Sequence, residues 1–360
     1  MKTQCHTNYV KVFPSKRRGA SGRLEIFSFL ALVFIFAFQS CSKNDNQSSG
    51  NVHISGDSSN YIVDTYAKSP TGLIYEPAYM CVDSKGFLYV SQPVYSNIIK
   101  IDPLIQTIGN LAGSPKNPGC DDDPFGSGTP SLTSPGNLWI NGDDLIFTGD
   151  YDCGTVKVIK TTGQVSTDNY QNPYNLYPAP SGACQDFQGN VYLYDTYEGL
   201  FEIRFQDQVL VNVLGNSALG IVSSMAMSTD EHTIFLSAGN QIFRYLDGSL
   251  TSIAGNKDSL GNQDGAGSNA TFGGAMAICA GDDGNIYIAD VYNNVIRKLT
   301  QNGVVTTIAG DGKEGYVDGT GNKAEFYNPD GIAYSSFGGM KVLYVSDYRN
   351  NVIRRITLPQ

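Results

Sequence analysis

The chain has 360 residues, 41% hydrophobic and only 16% charged, with 40 glycines, 22 tyrosines and a formal net charge of −10. That length and apolar content are ample for a sizeable core, and the glycine and tyrosine richness suits an all-β protein dense in turns, not a helical one. The acidic balance repels nucleic acid and anionic lipid head groups, so nucleic-acid binding is excluded.

At the N-terminus Lys16, Arg17, Arg18 and Arg23 precede an apolar run over residues 26–38, followed by Gln39-Ser40-Cys41-Ser42. The run is too short to span a bilayer, which needs about 20 residues. Together these features read as a sorting signal, to be set aside before fold reasoning. A small residue followed by cysteine at the end of such a run resembles the bacterial lipobox. The resemblance implies cleavage before Cys41 and lipid attached to its thiol; an ordinary signal peptide or an uncleaved anchor is the alternative. Residues 1–40 are thus expected to be a lipoprotein-type signal peptide, and the polar, Gly/Ser/Asn-rich residues 41–60 a flexible tether. Removal of residues 1–40 leaves 18 basic residues against 33 acidic ones, so the acidic character deepens.

From residue 61 onward the chain is a series of short apolar runs separated by Gly/Asn/Asp clusters, the pattern of strands joined by tight turns. The unit is clearest over residues 272–310, where runs at 275–279, 285–289, 294–299 and 304–309 predict a four-stranded meander. It recurs over residues 326–360: Tyr287 aligns with Tyr344, Asp290 with Asp347, and Ile296-Arg297 with Ile353-Arg354. Asp264-Gly265 and Asp318-Gly319 stand at the same distance before Phe272 and Phe326. Weaker copies place the second-strand aromatic at Tyr89, Phe147, Tyr192 and Phe235. Six units of four strands predict an all-β, six-bladed β-propeller over residues 61–360. The last unit stops after its third strand, while residues 62–67 look like a fourth strand without its first three. An N-terminal strand is therefore expected to close the last blade and remove the open edges.

Of the cysteines, Cys81, Cys184 and Cys279 share one repeat position on a first strand and read as small core residues. Cys120 and Cys153 fall in loops that a propeller brings to one face, and an oxidising compartment would pair them in a disulfide. Gly310 to Gly315 fits G-x-G-x-x-G, but the helix-hostile Tyr316-Val317-Asp318-Gly319 follows it, so no pyrophosphate site is expected. The Asp-Gly-x-Gly loops and Asp121-Asp122-Asp123 lack the spacing of a calcium loop and read as solvated turn acids. Beyond the signal peptide only His53 and His232 remain, which argues against histidine-held metals and histidine-dependent triads. No cofactor or metal is expected.

After the second strand, five units carry a tyrosine: Tyr95, Tyr151, Tyr197, Tyr292 and Tyr348, the last followed by Arg349. The neighbouring Asp and Asn are expected to serve the turns. The tyrosines and Arg349 form a candidate surface for a glycan, small ligand or protein partner.

The motifs Ile308-Ala309-Gly310, Asn328-Pro329-Asp330-Gly331, residues 343–347 and Asn351-Val352-Ile353-Arg354 resemble the NHL-repeat family of β-propellers. The likeness is strong in units five and six, fair in unit one and faded in units two to four. It implies a scaffold used for binding, and the histidine metal ligands of the family's amidating lyases have no counterpart here. The sequence is thus expected to encode a monomeric, non-catalytic propeller, lipid-anchored in a bacterial envelope. The alternative is a lactonase- or lyase-like propeller enzyme with an axial divalent cation held by carboxylates.

Overall fold

A computed structural model describes residues 58–359 apart from 69–71, 124–129, 151, 154, 168–181, 187, 196–198, 205–209, 216–218 and 220. The expected signal peptide, Cys41 and most of the tether, together with Tyr151 and Tyr197, lie outside the described residues.

Each repeat folds as an antiparallel meander, and the six sheets form a propeller. Blade one runs from Met80–Val82 to Ile108–Gly113, blade two from Pro135–Ile140 to Val165–Thr167, and blade three from Gly182–Gln185 to Leu210–Leu214. Blade four runs from Val222–Met227 to Ser249–Gly255 and blade five from Ala275–Ala280 to Val304–Ala309. The first strands of successive blades touch one another all the way round, and blade six meets blade one. Between the first and second strands, Gly86, Gly189 and Gly284 occupy one repeat position with φ of 75–87°. The turn needs this left-handed backbone, which glycine supplies without strain. An aspartate opens the same turn: Asp83 accepts the Phe87 N–H at 2.8 Å and Asp186 the Asn190 N–H at 2.8 Å.

The sixth blade is closed as expected. Ile62–Lys68 lies between Val352–Thr357 and the short outer strand Gly319–Thr320, with Ile62 opposite Thr357 and Val63 opposite Ile356. The six second-strand aromatics pack between neighbouring blades. Tyr287 stacks on Tyr334 of the next blade at 6.4 Å, and Tyr344 of blade six joins the core beneath Leu88 and Val90 of blade one. Cys81 and Cys184 are buried and Cys279 is half-buried, and all three are free thiols. Burial pushes each thiol up, with a nearby aspartate adding to it.

The loop acids do more than cap turns: Asp264 is buried, a correction to the expectation from sequence, while Asp122 and Asp318 stay partly exposed and yet pair with buried bases. In blade five the buried Arg297 donates to Asp290 at 3.1 Å and to Asp264 at 2.8 Å, and Asp264 also accepts the N–H and hydroxyl of Thr307, each at 2.9 Å. Blade six repeats the set with Arg354, Asp347 at 2.9 Å and Asp318 at 2.8 Å, and its threonine is Thr65 of the N-terminal strand. Blade two uses Lys157, Asp122 and Thr167. The guanidinium groups lie over Phe272 and Phe326, at 5.3 and 4.9 Å from the ring centroids. That packing explains the fixed spacing from Asp-Gly to Phe. Blade one substitutes a neutral chain, Gln92 to Asn97 to Asn110. Blades three and four place Phe201 and Phe243 at the position of the base. Loss of the charged set helps explain why blades three and four look faded, whereas blade two keeps it with lysine in place of arginine.

Candidate functional site

Two faces are distinct. The hairpins joining strands one to two and three to four lie on one, which we term the hairpin face. The turns joining strands two to three lie on the other, the loop face, together with the segments that pass from blade to blade. On the loop face the turns end in a left-handed residue: Ser96, Asn294 and Asn351, with φ of 53–55°. These residues latch the blades together. Asn294 accepts the Asn328 N–H at 2.9 Å, Asn351 accepts the Glu76 N–H at 2.7 Å, and the Ser96 hydroxyl donates to the Thr133 carbonyl at 2.6 Å. Asn293 and Asn350 are also structural, each donating to the second-strand aspartate and to a loop carbonyl. The asparagines and aspartates therefore serve the turns, as expected.

The tyrosines divide. Tyr95 stacks on Tyr75, with ring centroids 4.5 Å apart and planes at 29°. Tyr75 stays 37% exposed, beside Leu73 at 40% and Val94 at 60%. Around the same corner the Tyr348 hydroxyl donates to Glu76, and Arg349 pairs with Glu76 at 3.3 Å. Burial, then the Glu76 carboxylate, push the Tyr348 phenol up. Ring assembly thus gathers Tyr95, Tyr348 and Arg349 around Tyr75-Glu76, at the junction of blades six and one. Tyr292 stands apart on blade five, 56% exposed, with its ring over the backbone of Gly274. Tyr75 and Glu76 were not singled out in the sequence, because their segment has no counterpart in the repeat.

Asp330 adjoins this corner. It sits where the first strand of blade six skips a register step between Pro329 and Gly331, the bulge position shared by residues 223 and 276. Part of the residue stays exposed, yet burial pushes its carboxyl up to about 6. Its charge in turn acts on Tyr348. The only sequence signal was its place in Asn328-Pro329-Asp330-Gly331.

Along the axis the described first strands pack side by side. The Asn137 amide of blade two reaches the Ser223 carbonyl of blade four at 3.4 Å, across the ring. Between first strands lies a cavity of about 40 Å³, bordered by Tyr79, Asn137, Ser224 and Gly331 among others, with no carboxylate among its described lining residues. A space of that size holds water, not a ligand. Among the described residues no three His, Cys, Asp or Glu side chains converge to hold a metal ion. The described residues lining this cavity offer no carboxylate for an axial cation. His232 is exposed in the strand one-to-two hairpin of blade four, on the hairpin face.

Cys120 and Cys153 are joined by a disulfide, with Cα atoms 5.5 Å apart, which ties the segment before blade two to its loop-face turn. Among the described residues no helix is long and apolar enough to cross a membrane.

No family model matches the chain. A plant protein, SUPPRESSOR OF QUENCHING 1 of Arabidopsis thaliana, is 34% identical over 116 residues, which is 32% of this chain and 11% of that protein's length. Among solved structures, an auxiliary nutrient binding protein from Bacteroides thetaiotaomicron superposes with a TM-score of 0.66 at 16% identity, over 83% of this chain and 77% of that one. Virginiamycin B lyase from Staphylococcus aureus superposes with a TM-score of 0.52 at 15% identity, over 83% and 99%. At such identities the likeness establishes the propeller fold and leaves function open.

Proposed function

We propose that this chain is a non-catalytic envelope binding protein of the NHL type that takes a glycan at the corner formed by blades six and one. The stacked Tyr75 and Tyr95 carry the reading. An exposed aromatic pair offers flat apolar area to sugar C–H faces, and Glu76 and Arg349 beside it offer an acceptor and donors for hydroxyl groups. The existence of nutrient-binding proteins on this scaffold supports the same role. The lipobox-like setting of Cys41 supports attachment to a bacterial envelope membrane through lipid alone, and the acidic balance supports a binder without nucleic-acid partners, taken as a monomer. Titration with a panel of neutral oligosaccharides tests the glycan site. Tyr75→Ala and Tyr95→Ala are each expected to weaken binding at least tenfold without lowering the melting temperature. A panel in which nothing binds, or binding indifferent to both changes, refutes it.

A second reading has one observation in its favour. Asp330, with its carboxyl raised to about 6, is poised as a general acid or base beside Tyr348, and lyases share the scaffold. One virginiamycin B lyase is described as catalytically inactive after a histidine-to-alanine change. This chain's described loop face offers no histidine, so a lyase of that kind would need another base, and Asp330 is the candidate. Turnover of a lactone or cyclic depsipeptide abolished by Asp330→Asn would move the assignment from binder to enzyme.

A further inference from the structure

On the hairpin face, blades five and six leave a cleft of about 280 Å³, just below the usual range of about 300–1,000 Å³ for ligand pockets. Its walls come from separate elements: Tyr61 ahead of the N-terminal strand, Asp283, Tyr287 and Lys298 on blade five, Lys341 before the second strand of blade six, and Leu358 after its third. The rings of Tyr61 and Tyr287 and the buried Leu358 supply apolar surface.

The charges here are unevenly matched. Asp283 also lines the cleft and is exposed, but its carboxylate is engaged: the Tyr287 hydroxyl donates to it at 2.8 Å and the Asn285 amide at 2.7 Å. Lys341 pairs with Asp282 at 2.8 Å at the rim, and its side chain stays 42% exposed. Lys298 has only Tyr61, whose hydroxyl is 3.3 Å away and whose ring centroid is 6.0 Å away. Among the described residues no carboxylate lies within ion-pair distance of the Lys298 ammonium. A half-buried ammonium facing a recess without a counter-ion is costly, and the cost falls when an anion enters. The whole chain carries ten more acidic than basic residues, so an unmatched lysine here stands out.

We propose that this cleft is a second ligand site, separate from the loop-face corner, for a small organic monoanion. Its carboxylate meets Lys298 and Lys341, and its apolar body lies between Tyr61, Tyr287 and Leu358. The test is calorimetric titration of the full chain with benzoate and hexanoate, with benzamide as the neutral counterpart of benzoate. Saturable binding of at least one carboxylate is expected, with benzamide at least tenfold weaker. Lys298→Met should lower affinity at least tenfold while Tyr95→Ala leaves it unchanged, which separates this site from the glycan reading. Should Lys298→Met fail to fold, Lys341→Gln reports instead, with a loss of about threefold expected for a rim charge. No saturation by either carboxylate, equal binding of benzamide, or affinity untouched by the lysine changes overturns the proposal.

Discussion

Two kinds of buried charge govern this protein at the level of single residues, and they respond oppositely to substitution. Arg354 lies fully buried between Asp347 and Asp318, and it also donates to the carbonyls of Glu325 and Val317 at 2.7 Å each. Arg354→Met leaves Asp347 buried without its partner, and such losses cost about 3–5 kcal/mol. Urea unfolding should show that drop, and a change under about 1 kcal/mol would mean the network contributes little. Asp330 has no such partner. Its carboxyl is raised, so the folded state holds the proton more tightly than the unfolded chain does. The native state therefore gains stability as pH falls from about 6 toward the ordinary aspartate range, and bears the cost of the charge above about 6. Asp330→Asn is expected to stabilise the fold by about 1–2 kcal/mol at pH 8, the full shift being discounted for partial exposure, and to change little at pH 4. Melting curves at the two pH values check the sign; stabilisation at pH 4 alone would contradict the burial of the carboxyl.

The N-terminal strand is the element on which ring closure turns. Thr65 bonds Asp318 at 3.1 Å, Asp64 pairs with Arg355, and Tyr66 packs on Tyr344 at 4.6 Å. The strand thus completes both the ladder of blade six and its buried network. A chain starting at Tyr66 loses most of these contacts and exposes the edge of Val352–Thr357, whereas one starting at Asn60 keeps them. The first should melt far lower than the second, and equal melting temperatures would refute closure. The disulfide is the other constraint of this kind: it closes a loop with a sequence separation of 33, for which chain-entropy arguments give roughly 3–4 kcal/mol. Thermal melts with and without reductant would show it, and unchanged melting on full reduction would remove it from the account. Both elements could be read from the sequence, because the repeat itself fixed where a strand was missing and which loops share a face. The buried networks could not. Asp264 and Asp318 look like turn acids in isolation, and only the register that sets Arg297 opposite Thr307 shows that one aspartate serves both. The Tyr75-Glu76 corner was hidden for a different reason: Glu76 meets Arg349 only because the ring closes, 273 positions apart in sequence.

At the scale of the whole molecule, the cavity of about 40 Å³ between the described first strands is water-sized, and the larger candidate sites lie on the two faces. The loop-face corner is held by Asn351 of blade six, which accepts the Glu76 N–H, and by Gln92 of blade one, which accepts the Tyr75 N–H at 2.5 Å. An aromatic platform so fixed loses little conformational freedom on binding, so its affinity should come from contact and not from ordering. Tyr75→Phe keeps the ring and should leave glycan affinity within about threefold, while Tyr75→Ala removes the stacking surface and should cost at least tenfold, about 1.4 kcal/mol. The same titrations on Asp330→Asn separate binder from enzyme. A binding protein whose contacts run through Tyr75, Tyr95 and Arg349 should keep its affinity within about threefold in that variant and show no turnover in either form. An enzyme working through that carboxyl should keep its affinity and lose its rate. Retained affinity with no measurable turnover of lactone, depsipeptide or glycan by the unaltered chain would support the binding role; turnover that vanishes with Asp330→Asn would end it.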